Sequence, residues 1–193
     1  VLDSLASVGQ ASNKRAIGGI RATHSDPAKI RLCLRSLEIF SSWKEQTGDD
    51  IEWVKGGYTF VAYNEDQART LKELLAVQKS FGLNIDWIDP QAFQDLVPGT
   101  SPVELLGGTY SPDDGNASSL LAIHSFYRQA CHLGARFLFN APVTATLVEH
   151  GRVCGVQTPS GIYSAPIALA AAGATPHAPA SQRGRPQTFG HGP

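Results

Sequence analysis

The residues that most constrain the fold run from 136 to 174, RFLFNAPVTATLVEHGRVCGVQTPSGIYSAPIALAAAGA. Four short apolar runs alternate there with turn residues, at 137–139, 143–148, 153–157 and 167–171. This alternation predicts a β-meander followed by a strand that returns to a sheet. The last run is almost wholly apolar and ends in small residues, which is typical of a strand buried on both faces. Because ligands of open α/β sheets lie at the carboxyl ends of strands, the stretch suggests a nucleotide-binding domain.

The composition is that of an ordinary globular protein, with 42% hydrophobic residues, 17% charged residues and a net charge of -1. A chain so close to neutral offers little attraction to nucleic acid or to an anionic membrane surface, so neither is an expected partner. The sequence has no apolar run long enough to span a bilayer and no signal peptide, so we expect a cytoplasmic location. Its three cysteines lie far apart and predict free thiols, with no metal site.

Two further features indicate a piece of a longer protein. The chain contains no methionine, even at position 1. Residues 175–193 are rich in proline, glycine, arginine and histidine and have no period of a helix or a strand, which predicts an irregular tail. We therefore expect a central fragment that ends in this tail.

Two segments near the start suggest ligand contacts. Residues 1–3 are typical of the end of a buried strand, where Asp3 could accept hydrogen bonds from ribose hydroxyls; a capping or surface acid is the alternative. Residues 9–21, GQASNKRAIGGIR, allow close backbone approach and suit a phosphate or a flavin edge, although an ordinary glycine-containing loop has the same composition. The polar donors of this loop are Ser12, Asn13, Lys14 and Arg15.

Capping residues and periodicity predict the elements that follow. Asp26, Asn64 and Asp89 are N-cap signals, two of them followed by proline at the first helical position. Helices are predicted over 27–48, 65–82, 90–96 and 117–133, and strands over 58–63, 85–88 and 105–110. The apolar stripe of the last helix is predicted at Leu120, Ile123, Tyr127, Ala130 and Cys131.

Five segments share their order and spacing with one known family. They are ASNKRAIGGIR at 11–21, the DPAKIRL helix start at 26–32, KGGYTFVAYNEDQ at 55–67, YSPDDGNAS at 110–118 and the meander ending in AAGA. In these segments the chain resembles the D-amino-acid oxidase family of flavin-dependent oxidoreductases, especially the sarcosine oxidase β-subunit and dye-linked proline dehydrogenase β-subunit branch. The resemblance implies an FAD-dependent enzyme that transfers a hydride to flavin from an amine or amino acid such as sarcosine, proline or glycine.

The resemblance also implies which residues hold FAD. Asp3 would take the place of the ribose-binding acid, and Val143 would lie near adenine. Close to the pyrophosphate and the flavin would be Ser12, Asn13, Lys14, Arg15, Gly18, Gly19, Ile20, Ala172 and Gly173. No catalytic residue is assigned. Arg21 and Arg128 are not favoured for binding the substrate carboxylate, because the family usually supplies that arginine from later sequence.

The implied architecture is an α/β fold with α+β elements. A partial Rossmann-like, FAD-binding domain would comprise 1–48 and 105–174, with 49–104 inserted as part of a substrate domain and 175–193 as the irregular tail. The GxGxxG segment of the family is missing from these residues, so the implied activity is that of a parent protein and the isolated chain is expected to be inactive.

Two alternatives remain open. The chain could be non-catalytic, either truncated or dependent on a partner, and a hetero-oligomer with other oxidase or dehydrogenase subunits is an arrangement that the resemblance allows. Alternatively, the parent protein could be a flavin-dependent dehydrogenase of hydroxy acids or of glycerol phosphate, a class that shares the meander.

Overall fold

The computed structural model describes residues 1–171 and 173. It contains two compact units. One unit comprises Val1–Gln10 and the described part of Ala130–Pro193, and the other comprises Ala11–Gln129. These bounds differ from the predicted division into 1–48 with 105–174 around 49–104, and that division stays a prediction. The predicted tail at 175–193 lies outside the described residues.

Helices and strands alternate along the described chain. The α-helices are α1 (Pro27–Ser41), α2 (Trp43–Thr47), α3 (Glu65–Ser80), α4 (Pro90–Leu96) and α5 (Ser119–His132). The strands are β1 (Gly19–Ile20), β2 (Tyr58–Ala62), β3 (Asp86–Ile88), β4 (Gly107–Ser111), β5 (Gly115–Asn116), β6 (Ala145–Glu149), β7 (Arg152–Thr158) and β8 (Gly161–Ser164). This mixture of helices with small sheets confirms the predicted mixed fold class.

The unit Ala11–Gln129 contains two sheets. One has the strand order β2-β4-β3, with all neighbours antiparallel, and the other is the short antiparallel pair β1-β5. The central strand β4 has glycine at 108, where a β-carbon would overlap the Phe60 carbonyl oxygen and crowd the Phe93 ring. The absence of a side chain therefore lets α4 pack directly against the sheet.

Amphipathic helices close the core of this unit. Ile30 and Leu37 of α1 lie on one face of the helix, seven residues apart, and are buried together with Leu83, Ile85 and Ala22. The predicted single helix over 27–48 is wrong in one respect, because the structure breaks it at residue 42. The Ser42 hydroxyl donates to the Glu38 carbonyl at 2.7 Å, and such a bond to the preceding turn competes with continuation of the helix.

All three predicted N-caps are confirmed. The side chains of Asp26, Asn64 and Asp89 each accept a hydrogen bond of 2.9 Å from the backbone N–H three residues later. Each cap satisfies one of the amides that a helix leaves unpaired at its start. The local sequence is therefore enough to fix where α1, α3 and α4 begin.

Removal of the α3 cap gives a first testable prediction. The change Asn64→Ala is expected to lower the free energy of unfolding by about 1 kcal/mol, because the Gln67 amide loses its acceptor. Urea denaturation monitored by circular dichroism measures this difference. The control Glu73→Ala, at an exposed position in the middle of α3, should change stability by less than about 0.5 kcal/mol. Equal effects of the two substitutions would contradict the capping role.

The other unit is built around an antiparallel meander, β6-β7-β8, as the alternation of apolar runs and turns predicts. Near its start, Leu2 and Leu138 form a single parallel bridge, which joins the two predicted strands at 1–3 and 137–139 at one point. The predicted strand at 167–171 is wrong. These residues form no strand, and Ile167 and Leu169 are 82% and 90% exposed. An apolar run becomes a central strand only where neighbouring strands supply hydrogen-bond partners, and no described strand pairs with it.

The helix α5 buries a different face from the predicted one. Its buried residues are Ala122 and Ser125, whereas Leu120 is 44% exposed. The prediction chose mainly large apolar residues as the buried ones and passed over small and polar residues. In the structure Ser125 is buried because its hydroxyl has hydrogen-bond partners, which removes the cost of taking it out of water.

Candidate functional site

A cleft of about 580 Å³ lies within the unit Ala11–Gln129. One wall is the segment from Asn13 to Ile20, and the opposite wall is the start of α5 with Phe40 from α1. The lining side chains are mostly apolar, namely Ala16, Ile17, Ile20, Phe40, Ala117, Ala122, Ile123 and Phe126. A concave, mainly apolar space with polar groups at its edge is the usual form of a cofactor or small-molecule site.

The polar edge of this cleft is a short turn of 3-10 helix, Asn13–Arg15. The Ser119 hydroxyl of α5 donates to the Asn13 carbonyl at 2.8 Å, which ties the turn to the opposite wall. The side chains of Ser12, Asn13, Lys14 and Arg15 are all exposed. Lys14 and Arg15 take no part in the ion pairs of the described residues, so Arg15 at the cleft edge and its neighbour Lys14 remain available to meet an anion.

The floor of the cleft depends on backbone pairing rather than on side chains. Strand β1 pairs with β5 through Gly19–Asn116 and Ile20–Gly115. Just before β1, the Gly18 carbonyl accepts a hydrogen bond of 3.0 Å from Ala117 N. The structure therefore brings the predicted residues Gly18, Gly19 and Ile20 together with Asn13 and Arg15 around one cleft.

An arginine that was not favoured from sequence follows directly after β1. The Arg21 guanidinium carbon lies 5.2 Å from the Tyr58 ring centroid and 5.1 Å from the Phe60 ring centroid. Both rings project from the same face of β2 because they are two residues apart. Arg21 also donates to the carbonyl and the hydroxyl of Thr23. No carboxylate forms an ion pair with Arg21 within the part of the chain that is described, so this half-buried cation is held by aromatic rings and neutral oxygens.

Behind Arg21 lies a buried acid that sequence reasoning missed. Asp114 is 1% exposed, and its Oδ1 accepts a hydrogen bond of 3.0 Å from Ala22 N. Burial raises the pKa of the Asp114 carboxyl, while the Ala22 amide, the Ser111 hydroxyl and the Arg21 charge oppose that rise. The only local signal is the pair of acids in the turn YSPDDGNAS, and the sequence does not show which of the two is buried.

The remaining predicted cofactor residues lie in the other unit. Asp3 is half-buried, and its Oδ1 accepts a hydrogen bond of 2.9 Å from Leu5 N, which leaves its other carboxylate oxygen for a different donor. Val143 is 41% exposed and precedes β6. Gly173 is exposed and has a φ of +69°, and Ala172 lies outside the described residues. The roles of these four residues toward FAD stay predictions.

A hydrogen-bonded network supports the α5 wall of the cleft. The buried Ser125 hydroxyl accepts from Trp43 Nε1 at 2.8 Å and donates to Asp49 Oδ2 at 2.5 Å. Arg128 forms an ion pair of 2.6 Å with Asp49 Oδ1, and these bonds from Ser125 and Arg128 lower the pKa of Asp49. The Trp43 ring centroid lies 4.4 Å from that of Phe126, a cleft residue. Arg128 is thus already paired with Asp49 and has a structural role.

Comparisons with known proteins agree with this geometry. The profile of the DAO family, described as FAD dependent oxidoreductase, matches residues 1–189. The chain belongs to this family. Human sarcosine dehydrogenase, a mitochondrial protein, is 30% identical over 148 residues, which are 74% of this chain and 16% of that relative. The solved L-proline dehydrogenase from P.horikoshii has a TM-score of 0.78 at 29% identity, covering 83% of this chain and 42% of that one. These findings confirm the predicted family.

A further relative is named as a regulatory subunit. The mitochondrial pyruvate dehydrogenase phosphatase regulatory subunit of Mus musculus is 24% identical over 153 residues, 78% of this chain and 17% of that relative. The chain thus spans less than half the length of each of these three relatives. Across residues 1–171 and 173, no helix is long and apolar enough to cross a membrane, and no cluster of three or more His, Cys, Asp or Glu could hold a metal ion.

Proposed function

We propose that the whole protein is an FAD-dependent oxidoreductase that oxidises an amine or amino acid of the sarcosine, proline or glycine type. The observation that carries the proposal is the apolar cleft of about 580 Å³ whose edge is formed by Asn13–Arg15 and whose floor is formed by β1. Its size falls in the range of a site for a cofactor ring system with a small substrate. The family match supports FAD as that cofactor.

The residues present fit FAD in three ways. The apolar walls suit a flat aromatic ring, the backbone of Gly18–Ile20 allows close approach to it, and the exposed Lys14 and Arg15 suit a pyrophosphate. FAD supplies the hydride acceptor for the reaction. The chain's own contribution is to bind the cofactor and orient it against the apolar walls of the cleft. That Asp3, Val143, Ala172 and Gly173 also contact FAD is a part of the proposal that rests on the family resemblance alone.

Arg21 suits recognition of the substrate's carboxylate. Its guanidinium carries a fixed positive charge, is half-buried and forms no ion pair with a carboxylate among the described side chains. Tyr58 and Phe60 hold it by cation–π contacts, which fix the guanidinium plane without neutralising its charge. A carboxylate would then form charge-assisted, two-point hydrogen bonds with it. An amine that carries a carboxylate is therefore favoured over a simple amine.

The cofactor part of the proposal predicts the effect of filling the cleft. The change Ala16→Trp introduces a large ring into the lining and is expected to raise the Kd for FAD about tenfold or more, because the added volume displaces the cofactor. Quenching of flavin fluorescence on titration of the whole protein measures the Kd. The control Ala11→Trp, at an exposed residue outside the lining, should leave it unchanged. An unaffected Kd in Ala16→Trp would place FAD elsewhere.

The reaction is tested by mixing the FAD-loaded whole protein anaerobically with sarcosine, proline or glycine. Loss of the visible absorption of oxidised flavin with one of these substrates is the expected result. Reduction by glycerol phosphate or a hydroxy acid alone would instead support the alternative dehydrogenase. A protein that binds FAD but is reduced by none of these compounds would overturn the proposed reaction.

A non-catalytic role is the second candidate, favoured by the likeness to a protein named as a regulatory subunit. In that case the whole protein would fail to take up FAD even in excess, and its visible spectrum would show no flavin bands. A hetero-oligomer with other oxidase or dehydrogenase subunits belongs with this candidate and with the first. Size measurement during purification from the native source distinguishes a lone chain from such an assembly.

The cytoplasm is the proposed location. Cys33, Cys131 and Cys154 are all free thiols, which is usual in a reducing compartment. Cell fractionation followed by detection of the protein tests this location, and recovery from mitochondria or another organelle would overturn it.

A further inference from the structure

The buried carboxyl of Asp114 has an uneven set of hydrogen bonds. Oδ1 accepts from Ala22 N at 3.0 Å, whereas Oδ2 is buried without a partner of normal geometry among the described residues. The hydroxyls of Ser111 and Thr23 lie near enough to lower the pKa of the group, but less strongly than burial raises it. Burying a carboxylate oxygen in this way is costly. Asp114 therefore lowers the stability of the fold, and this cost suggests that its other hydrogen bonds serve a second purpose.

Those other bonds join two segments that meet at Arg21. The side chain of Asp114 holds the amide of Ala22, the residue that follows Arg21. Its main-chain carbonyl accepts a hydrogen bond of 2.8 Å from Gly57 N, the residue that precedes Tyr58. One residue thus fixes both the segment that carries the guanidinium and the strand that carries the two aromatic rings.

We infer that Asp114 is the positioning residue of the Arg21 anion site. Through Ala22 N and Gly57 N it sets the guanidinium over the rings of Tyr58 and Phe60, with the unused N–H donors left for an incoming carboxylate. The ligand class is a small carboxylate, and this part of the inference rests on the proposed role of Arg21. Asp114 itself touches no substrate and acts only through the placement of Arg21.

Asp114 could act on Arg21 either by positioning it or by compensating its charge. Replacing the Asp114 carboxylate with an amide distinguishes the two roles. In Asp114→Asn the amide oxygen can still accept from Ala22 N, and the new NH₂ group can donate to the hydroxyls of Ser111 or Thr23. If geometry is what matters, asparagine preserves the site. If the negative charge beside Arg21 is what matters, asparagine abolishes it as fully as alanine does.

The experiment uses NMR of the protein labelled with ¹³C and ¹⁵N in arginine only. The Arg21 side-chain protons should show an upfield ring-current shift from Tyr58 and Phe60, and acetate serves as the probe anion. In Asp114→Ala we expect loss of that shift and a Kd for acetate raised about tenfold. A change of this size is usual when one hydrogen bond is lost, here the bond from Ala22 N to Asp114. In Asp114→Asn the shift should persist, and the Kd should stay within about threefold of the original.

Two further variants serve as a control and as a substitute for the alanine variant. Asp113→Asn removes the neighbouring exposed acid, which pairs with Lys55, and should change neither quantity. If Asp114→Ala does not fold, Asp114→Ser replaces it, because a hydroxyl is too short to reach Ala22 N. An unchanged ring-current shift in the alanine or serine variant, an asparagine variant as defective as alanine, or an altered shift in Asp113→Asn would overturn the inference.

These measurements separate the inference from the proposed function. Neither requires FAD, so a protein that never binds flavin still reports the orientation of Arg21. If acetate fails to bind while the ring-current shift is present and depends on Asp114, the carboxylate role of Arg21 fails and the positioning role of Asp114 stands.

Discussion

Replacing Arg21 with methionine is expected to raise the KM for an amino acid substrate about hundredfold, with a much smaller change in kcat. Methionine keeps much of the apolar contact with Tyr58 and Phe60 but lacks the charge and the paired N–H donors. Loss of a two-point, charge-assisted contact to a carboxylate weakens binding by about 2 to 3 kcal/mol. Because the contact exists in both the bound substrate and the transition state, the effect falls on KM.

Steady-state kinetics of the FAD-loaded whole protein, with an artificial electron acceptor, measure this change. Proline and its amide form a matched pair of substrates, since the amide lacks the carboxylate, and the Arg21→Met protein should lose the preference for proline. Arg128→Met is the matched protein control, because Arg128 pairs with Asp49 rather than with a substrate. An unaltered KM in Arg21→Met, or an equal rise in Arg128→Met, would remove Arg21 from the proposed substrate site.

The change Gly18→Ala is expected to lower the free energy of unfolding by about 3 kcal/mol. Gly18 has a φ of +83°, and a β-carbon there would overlap the carbonyl oxygen of Ala117. That clash cannot be relieved by rotating a side chain, because the overlapped atom belongs to the backbone. The backbone of Ala117 is in turn held by the hydrogen bond from its N–H to the Gly18 carbonyl. The pairing of β1 with β5 must then give way, and the floor of the cleft moves with it.

Gly48→Ala is a matched control for this prediction. Gly48 also has a positive φ, +77°, but a β-carbon there would have no atom within 4 Å. It should therefore lower stability by only about 1 kcal/mol, the conformational strain alone. Urea denaturation of both variants isolates the steric contribution of Ala117. A Gly18→Ala protein no less stable than Gly48→Ala would show that β1 tolerates the added carbon.

Local signals account for the parts of the fold that could be predicted. Asp26, Asn64 and Asp89 cap helices through bonds that span only three residues, so the sequence contains all the required information. The meander was predictable for the same reason, since its strands are joined by short turns. The strand predicted at 167–171 depends on neighbours that no local pattern supplies, and the buried face of α5 depends on Trp43 and Asp49, which are remote in sequence.

The candidate site shows the same limit. The loop from Asn13 to Ile20 could be proposed as a ligand contact from sequence because its small residues and cations suit a phosphate or a flavin edge, and that role stays a prediction. The opposite wall was not, because Phe40 and Phe126 reach the cleft only through the packing of α1 and α5. Arg21 could be judged only once Tyr58 and Phe60 were seen beside it, more than thirty residues along the chain.

The network behind α5 has a practical consequence. Trp43 is bonded to Ser125 and its ring lies 4.4 Å from that of Phe126, so its indole is one side chain away from the cleft. Indole emission responds to the polarity and packing of its surroundings. With Trp53 and Trp87 replaced by phenylalanine, Trp43 would be the single tryptophan of these 193 residues, and occupancy of the cleft could be followed by selective excitation of its indole, without an added label.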